Sequence, residues 1–248
     1  MERNDLILSL LASHKTMSIQ QLCKELFCSP SSLRRDLIKL EKTGSVRRIR
    51  GGVTLVAGTG FDYSSNFREN INVAEKTYIC GIARDFLANG MSLFLDSSST
   101  VVKICPVLDS LSNITVVTNG IGTALILNNC SNVETFITGG HLRHGNATLL
   151  GETAGDFTRN FKADLAIVSC RGIDRDGAFE ADLEQARIKQ HMMQNAKKTI
   201  LLADSTKFGT HFFHRLCNFS DLQAVISDKA PTPEIELAIE SQGCEMLY

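Results

Sequence analysis

The stretch CSPSSLRRDLIKLEKTGSVRRIRGG (28–52) decides how the chain reads. Ser29 followed by Pro30 is a helix-start pattern. The serine oxygen can cap the first N–H groups, and the fixed φ of proline suits the first turn. Leu33, Leu37 and Leu40 then recur at three- and four-residue spacing, so one helical face is apolar. Gly44 suits the residue that closes a helix. VRRI (46–49), Gly51-Gly52 and VTLV (53–56) read as a short two-stranded hairpin.

Two more helices precede this stretch. Over 4–13, Leu6, Ile7, Leu10 and Leu11 make an apolar stripe. Over 18–27, Ser18 and Gln21 form a capping-box pattern, with Ile19, Leu22 and Leu26 facing inward. Helix, helix, helix and hairpin is the winged helix-turn-helix layout. With its leucines packed, the third helix leaves Ser31, Ser32, Arg35, Ile38 and Lys39 on or near its outer faces, flanked by Arg34. Arginine at such a position can pair with the O6 and N7 edge of guanine. Ser29, Ser31, Ser32 and the helix N-terminus suit phosphate oxygens. Arg47, Arg48 and Arg50 would sit on the wing, beside the DNA backbone or minor groove. The competing reading is a solvated helix whose arginines pair with Asp36 and Glu41.

Charge favours the DNA reading. The 248-residue chain has a net charge of −1, but residues 1–56 hold ten Lys/Arg against five Asp/Glu. The first segment is therefore +5 and the remainder −6, a basic head on an acidic body. The eight cysteines are scattered, with no C-x-x-C and no Cys/His cluster at metal-ligand spacing, so they read as buried reduced thiols. No metal or cofactor is expected. No apolar run approaches a membrane span, and the N-terminus is too charged for a secretory signal, which together suggest a cytoplasmic protein.

Three parts are expected: a winged helix-turn-helix domain (1–56), a polar linker (57–72) and an α/β domain (73–248). In the last, a helix at 73–88 precedes strand-like runs at 91–96, 114–118, 133–138, 164–169, 199–203, 223–227 and 244–248. Helical patterns at 121–128, 181–196 and 233–241 alternate with them, which argues for a Rossmann-like fold on a mostly parallel sheet. In such sheets ligands bind beyond the carboxyl ends of the strands. Those ends carry Ser97–Thr100, Asn119, Gly139-Gly140 with Arg143, Asp174, and Lys207. Main-chain N–H groups and cations suit a phosphate, and carboxylates and amides suit sugar hydroxyls. Gly139 and Gly140 would let a ligand approach the backbone closely. Pro106, inside the helix expected after the serine-rich turn, should kink it. His141 and His144 read as solvated loop histidines.

SPSSLRRDLIKLEKTGSVRRIRGG resembles the DNA-binding domain of the DeoR family of bacterial transcriptional regulators. The blocks LDSSST, VVTNG, ITGGHLR, GID, FEADLEQARIK and LADSTKFG extend the likeness over nearly the whole chain. They resemble an effector domain related to ribose-5-phosphate isomerase that binds phosphorylated sugars. The chain departs from the family pattern at Ser32-Leu33, at Arg50, where histidine is usual, and at Ser98, where glycine is common. The resemblance implies that Asp96, Ser97, Ser98, Ser99 and Thr100 form a phosphate loop. It also implies that Asn119, Gly139, Gly140, Arg143, Asp174, Glu184, Lys189 and Lys207 surround the sugar. Read as residues alone, Glu184 and Lys189 could equally be exposed helix charges, and Asp204 a brace for its loop.

The function expected is a DNA-binding regulator, a repressor of a carbohydrate-catabolism operon that acts as a homo-oligomer, dimer or tetramer, on double-stranded operator DNA. A phosphorylated sugar would modulate its binding. One alternative is an isomerase-like enzyme using Asp174 or Glu184 with Lys207, the basic head being accessory. Another is a DNA-binding protein whose body only oligomerises.

Overall fold

The leucine spacing of the first segment becomes three helices, α1 (Arg3–His14), α2 (Ile19–Glu25) and α3 (Pro30–Lys42). The computed structural model describes residues 3–42, 44–56, 68–143 and 146–248. The chain divides into two units, Met1–Ile71 and Asn72–Tyr248. Most of the stretch expected as a linker, 57–67, lies outside the described residues, as does His144.

In the first unit, Ile7, Leu8, Leu11, Leu22, Leu33, Leu37 and Leu40 share one buried cluster with Val46 and Val53. Burying each such side chain contributes roughly 1.5–3 kcal/mol. Ser18 caps α2 and Gln21 reciprocates, as the capping pattern anticipates. Strands β1 (Thr16–Met17), β2 (Val46–Ile49) and β3 (Gly52–Leu55) form an antiparallel sheet in the order β1-β3-β2. Gly52 is required there, because a Cβ at that position would lie 2.5 Å from the Met17 carbonyl oxygen.

The second unit opens with α4 (Val73–Ala83) and then builds a sheet. Its strands are β4 (Ser92–Leu95), β5 (Ile114–Thr118), β6 (Val133–Ile137), β9 (Ala163–Ser169), β12 (Ala196–Leu202), β14 (Ala224–Ile226) and β15 (Glu245–Leu247). Their spatial order is β15-β14-β12-β9-β4-β5-β6, and every neighbouring pair is parallel. Helices α5 (Cys105–Leu108), α6 (Ile121–Leu127), α7 (Glu152–Arg159), α8 (Leu183–Gln194) and α9 (Pro233–Glu240) alternate with the strands.

Side chains leave the strands alternately up and down, and both faces are covered. On β4, Leu93 and Leu95 join the cluster of Ile79 and Leu127 from α4 and α6. Phe94 joins Ala154, Ile188 and Met192 from α7 and α8 on the other face. The chain runs outward from β4 through β5 to β6, then returns to β9 on the opposite side of β4. The strand order therefore reverses between β4 and β9, where such sheets open a crevice.

Three features differ from the sequence reading. Two antiparallel additions were not anticipated: a sheet of β10 (Gly172–Asp174), β11 (Gly177–Glu180) and β13 (His214–Cys217), and a hairpin of β7 (His141–Leu142) and β8 (Leu149–Leu150). Helix α7 was also unannounced. After the serine-rich turn the chain makes a 3₁₀ stretch, Val101–Ile104, before α5. Pro106 kinks nothing, because it stands in the first turn of α5, where its missing N–H is harmless.

Candidate functional site

The head presents its basic residues on two elements. Ser29 Oγ accepts the Ser32 N–H and contacts Ser31 Oγ, so these hydroxyls fix the start of α3. Leu33, Asp36, Leu37 and Leu40 are buried, which turns Ser31, Arg34, Arg35, Ile38 and Lys39 outward and leaves Ser32 half-buried. The acids that could have neutralised Arg34 and Arg35 are engaged elsewhere. Asp36 accepts from Arg3 at 2.6 Å. Glu41 pairs with Arg48 of the wing at 2.6 Å, holding the Glu41 carboxyl below its ordinary range through that hydrogen bond. Arg47 and Arg50 are exposed on the wing. Arg48, by contrast, is held at the end of α3.

The crevice between β4 and β9 is closed at its floor by a buried ionic cluster. Asp96, which has no exposure, follows β4 and lies 3.0 Å from Lys189 of α8. The Lys189 ammonium also meets Glu180 of β11 at 2.5 Å and donates to the Ser169 carbonyl at 2.8 Å. Burial works against this ammonium, but Asp96 and Glu180 outweigh it and raise its pKa. Asp96 in turn accepts the Ser98 N–H at 2.8 Å and the Ser169 N–H at 3.0 Å. Lys189 is therefore not an exposed helix charge, and Asp96 is bonded within the protein. Both brace the loop above them.

That loop has the features of an anion cradle. Among the described residues, the N–H groups of Ser97, Ser99 and Thr100 donate to no protein acceptor. Ser98 Oγ instead accepts the Val101 N–H and caps the 3₁₀ stretch. Among the described residues, the non-glycine ones with positive φ are Lys15, Phe27, Asn72 and Asn113, so serine at 98 fits without strain. Lys76 of α4, only 3% exposed, donates to Ser99 Oγ at 3.1 Å. It was not singled out in the sequence, where a lysine four residues into a helix looks like any solvated charge.

Ser97 Oγ lies 2.6 Å from Thr148 Oγ1, which also receives Asn119 Nδ2 at 3.1 Å. Asn119 is wholly buried, and its Oδ1 has no partner. Asp204 receives Thr206 and Asn72. Burial pushes its carboxyl up, but Lys207, Thr206 and Lys76 outweigh burial and hold it below its ordinary value. The two lysines thus share an electrostatic neighbourhood with Asp204.

Gly140 and Arg143 flank the β7–β8 hairpin, beside Thr148, the residue that meets Ser97. Gly140, at φ +118°, would place a Cβ 2.3 Å from the Leu150 carbonyl oxygen, so its close approach is to β8. Gly139 faces Thr153. Arg143 pairs with Asp182 at 3.3 Å and His141 with Glu184 at 3.6 Å, tying the β7–β8 hairpin to the start of α8. Glu184 lines a cleft of about 580 Å³ with Arg159, Arg187 and His191. Asp174 lines another, of about 470 Å³, with Ser205, Phe208 and Glu234.

Comparison with known proteins agrees with both halves. A model of the DeoR-like helix-turn-helix domain matches residues 3–59, and one of the DeoR C terminal sensor domain matches residues 71–229. The HTH-type transcriptional repressor GlcR of Bacillus subtilis is 30% identical over 246 residues, covering 99% of this chain and 95% of the relative. The glycerol-3-phosphate regulon repressor of Escherichia coli is 28% identical, covering 93% and 91%. Among solved structures, ribose 5-phosphate isomerase A of Methanocaldococcus jannaschii aligns with a TM-score of 0.41 at 12% identity, covering 55% of each chain.

Proposed function

The chain belongs to the DeoR family of transcriptional regulators, and from that premise we propose that its sensor unit binds a phosphorylated sugar or polyol whose presence alters the affinity of the head for an operator. The observation that carries the ligand half is the cradle at the β4 end. Three N–H groups without protein acceptors meet a buried ammonium, Lys76, beside Asn119 with its unpartnered Oδ1. A phosphate takes the N–H groups and the cation, and the amide and Lys207 remain for the carbon chain. Asp96 and Lys189 act beneath the loop as its brace. The names of GlcR and of the glycerol-3-phosphate regulon repressor support a repressor of a carbon-source operon.

In the head, Arg34, Arg35 and Lys39 face the major groove, with Ser29, Ser31 and Ser32 at phosphates. Arg47 and Arg50 take the backbone beside the wing. Heads of this kind read two half-sites as a pair, so the working form is a homo-oligomer. Ligand then acts by favouring a subunit arrangement that no longer matches the half-site spacing. A catalytic reading has less behind it, since Glu184 and Asp174, the carboxylates it would use, line other clefts.

The test is fluorescence anisotropy with DNA from upstream of the chain's own gene, at one fixed salt concentration, across a panel of sugar and polyol phosphates. One member of the panel should release the DNA, and Lys76→Met should weaken that response at least tenfold while leaving ligand-free DNA binding intact. Release by the unphosphorylated sugar at equal concentration, or an unchanged response in the lysine variant, would refute the phosphate cradle.

A further inference from the structure

The turn between α2 and α3 is closed in a particular way. The Cys28 N–H donates to the Cys23 carbonyl at 3.1 Å, and the Phe27 N–H to that of Lys24 at 3.4 Å. Phe27 between them stands at φ +49°. This is the Schellman closure of a helix, and it brings the third-last helical side chain against the second one beyond the cap. That contact is usually apolar. Here the two positions are Cys23 and Cys28, so the closure itself sets the two thiols side by side. Both are half-buried at the edge of the head's core. Phe27, between them, is 95% exposed, so the tip of the turn faces outward.

We propose that Cys23 and Cys28 are an oxidisable dithiol site, converted by a peroxide to an intramolecular disulfide that weakens DNA binding. Burial first, and then the neighbouring Cys28, raises the Cys23 thiol pKa, which suits Cys23 to the second step. The Cys28 thiolate attacks one peroxide oxygen, the O–O bond breaks, and hydroxide leaves and takes a proton to become water. The Cys23 sulfur then attacks the Cys28 sulfenic sulfur. The S–O bond breaks, and the departing hydroxide takes the Cys23 proton to become a second water. Two thiols are oxidised and one peroxide is reduced.

Bond formation draws the two sulfurs to about 2.05 Å. The pull falls on Cys28, directly before Ser29, whose Oγ holds the first turn of α3. The start of the helix that carries Ser31, Ser32, Arg34 and Arg35 must move with it. The remaining cysteines are placed differently: Cys80, Cys105, Cys170, Cys217 and Cys244 are buried, and Cys130 is half-buried.

The DNA half of this proposal rests on the family assignment of the head; the linkage does not. Full-length reduced protein is treated with hydrogen peroxide and divided between trypsin digestion without reductant and anisotropy on the upstream DNA. Lys24 separates the two cysteines, so their tryptic peptides stay joined only if the disulfide has formed. The expected result is joined peptides and a roughly tenfold loss of DNA affinity, comparable to losing one base contact. Dithiothreitol should reverse both. Cys23→Ser and Cys28→Ser should not respond to peroxide, whereas Cys130→Ser should respond like the parent. Peptides that separate after peroxide sink the dithiol, and linked protein that binds DNA as tightly as reduced protein sinks the switch. A reduced chain that never binds DNA removes the DNA half along with the operator reading, and the peptides still decide the linkage.

Discussion

Replacing Lys189 with methionine should be among the most damaging single changes in the sensor unit. The substitution keeps most of the side-chain volume and removes one charge. It leaves Asp96 and Glu180, with side-chain exposures of 0% and 4%, without the cation that lies 3.0 and 2.5 Å from them. Breaking a buried pair by removing one partner costs about 3–5 kcal/mol, because the remaining charge stays desolvated. For a unit of this size that corresponds to a fall in Tm of roughly 6–20 °C. Thermal and urea unfolding followed by circular dichroism would measure it. The triple variant Lys189→Met, Asp96→Asn, Glu180→Gln should recover much of the loss, since no uncompensated charge remains. A loss below about 1 kcal/mol, or no recovery in the triple variant, would refute the view of this cluster as a tight, charge-balanced brace.

Other expectations concern the head and the sheet. Arg35→Ala should cost about 1–3 kcal/mol at the operator and relax base preference, whereas Arg50→Ala should weaken all sequences alike and reduce the salt slope by about one per head; anisotropy across salt and operator variants separates the two. Asp164 is held at about 2, first by the hydrogen bond from Lys197 and then by Ser92. Its contribution is therefore fully present above about pH 4 and lost as pH falls toward 2, so the stability difference between Asp164→Asn and the parent should vanish over that window in acid titrations. Gly52→Ala must displace the wing from the Met17 carbonyl and should destabilise the head by roughly 1–3 kcal/mol, measured by chemical unfolding.

The parallel sheet was legible because its strands are buried on both faces and read as unbroken apolar runs, Leu93-Phe94-Leu95 being one. The same logic hid α7, whose eight residues ETAGDFTR bury Gly155 and Thr158 and bring just two apolar side chains, Ala154 and Phe157, to the core. The β10–β11 hairpin is short and turns through Arg175 and Asp176, a polar pair that gives no apolar alternation to find. Within the candidate site, main-chain donors could be read from the run of hydroxyl residues after a strand. The role of a charge could not. Asp96, Lys189 and Lys76 are polar letters in sequence, and only the folded neighbourhood pairs the first two beneath the loop and sets the third against Ser99. The exposure of Arg34 and Arg35 was legible for the opposite reason: it follows from the leucine spacing alone, and Asp36 and Glu41 are taken by Arg3 and Arg48.

The return of the chain to β9 beside β4 also sets an order of events during synthesis. The head is finished early, since its last strand ends at Leu55 and its contacts are local. The first strand of the large sheet has no such independence. One edge of β4 can pair with β5 soon after it is made, but the other waits for β9, about 70 residues later, or some 4–15 s at ordinary rates of translation. Through that interval the growing body carries an open edge beside Leu93, Phe94 and Leu95, tethered to a head that has already folded.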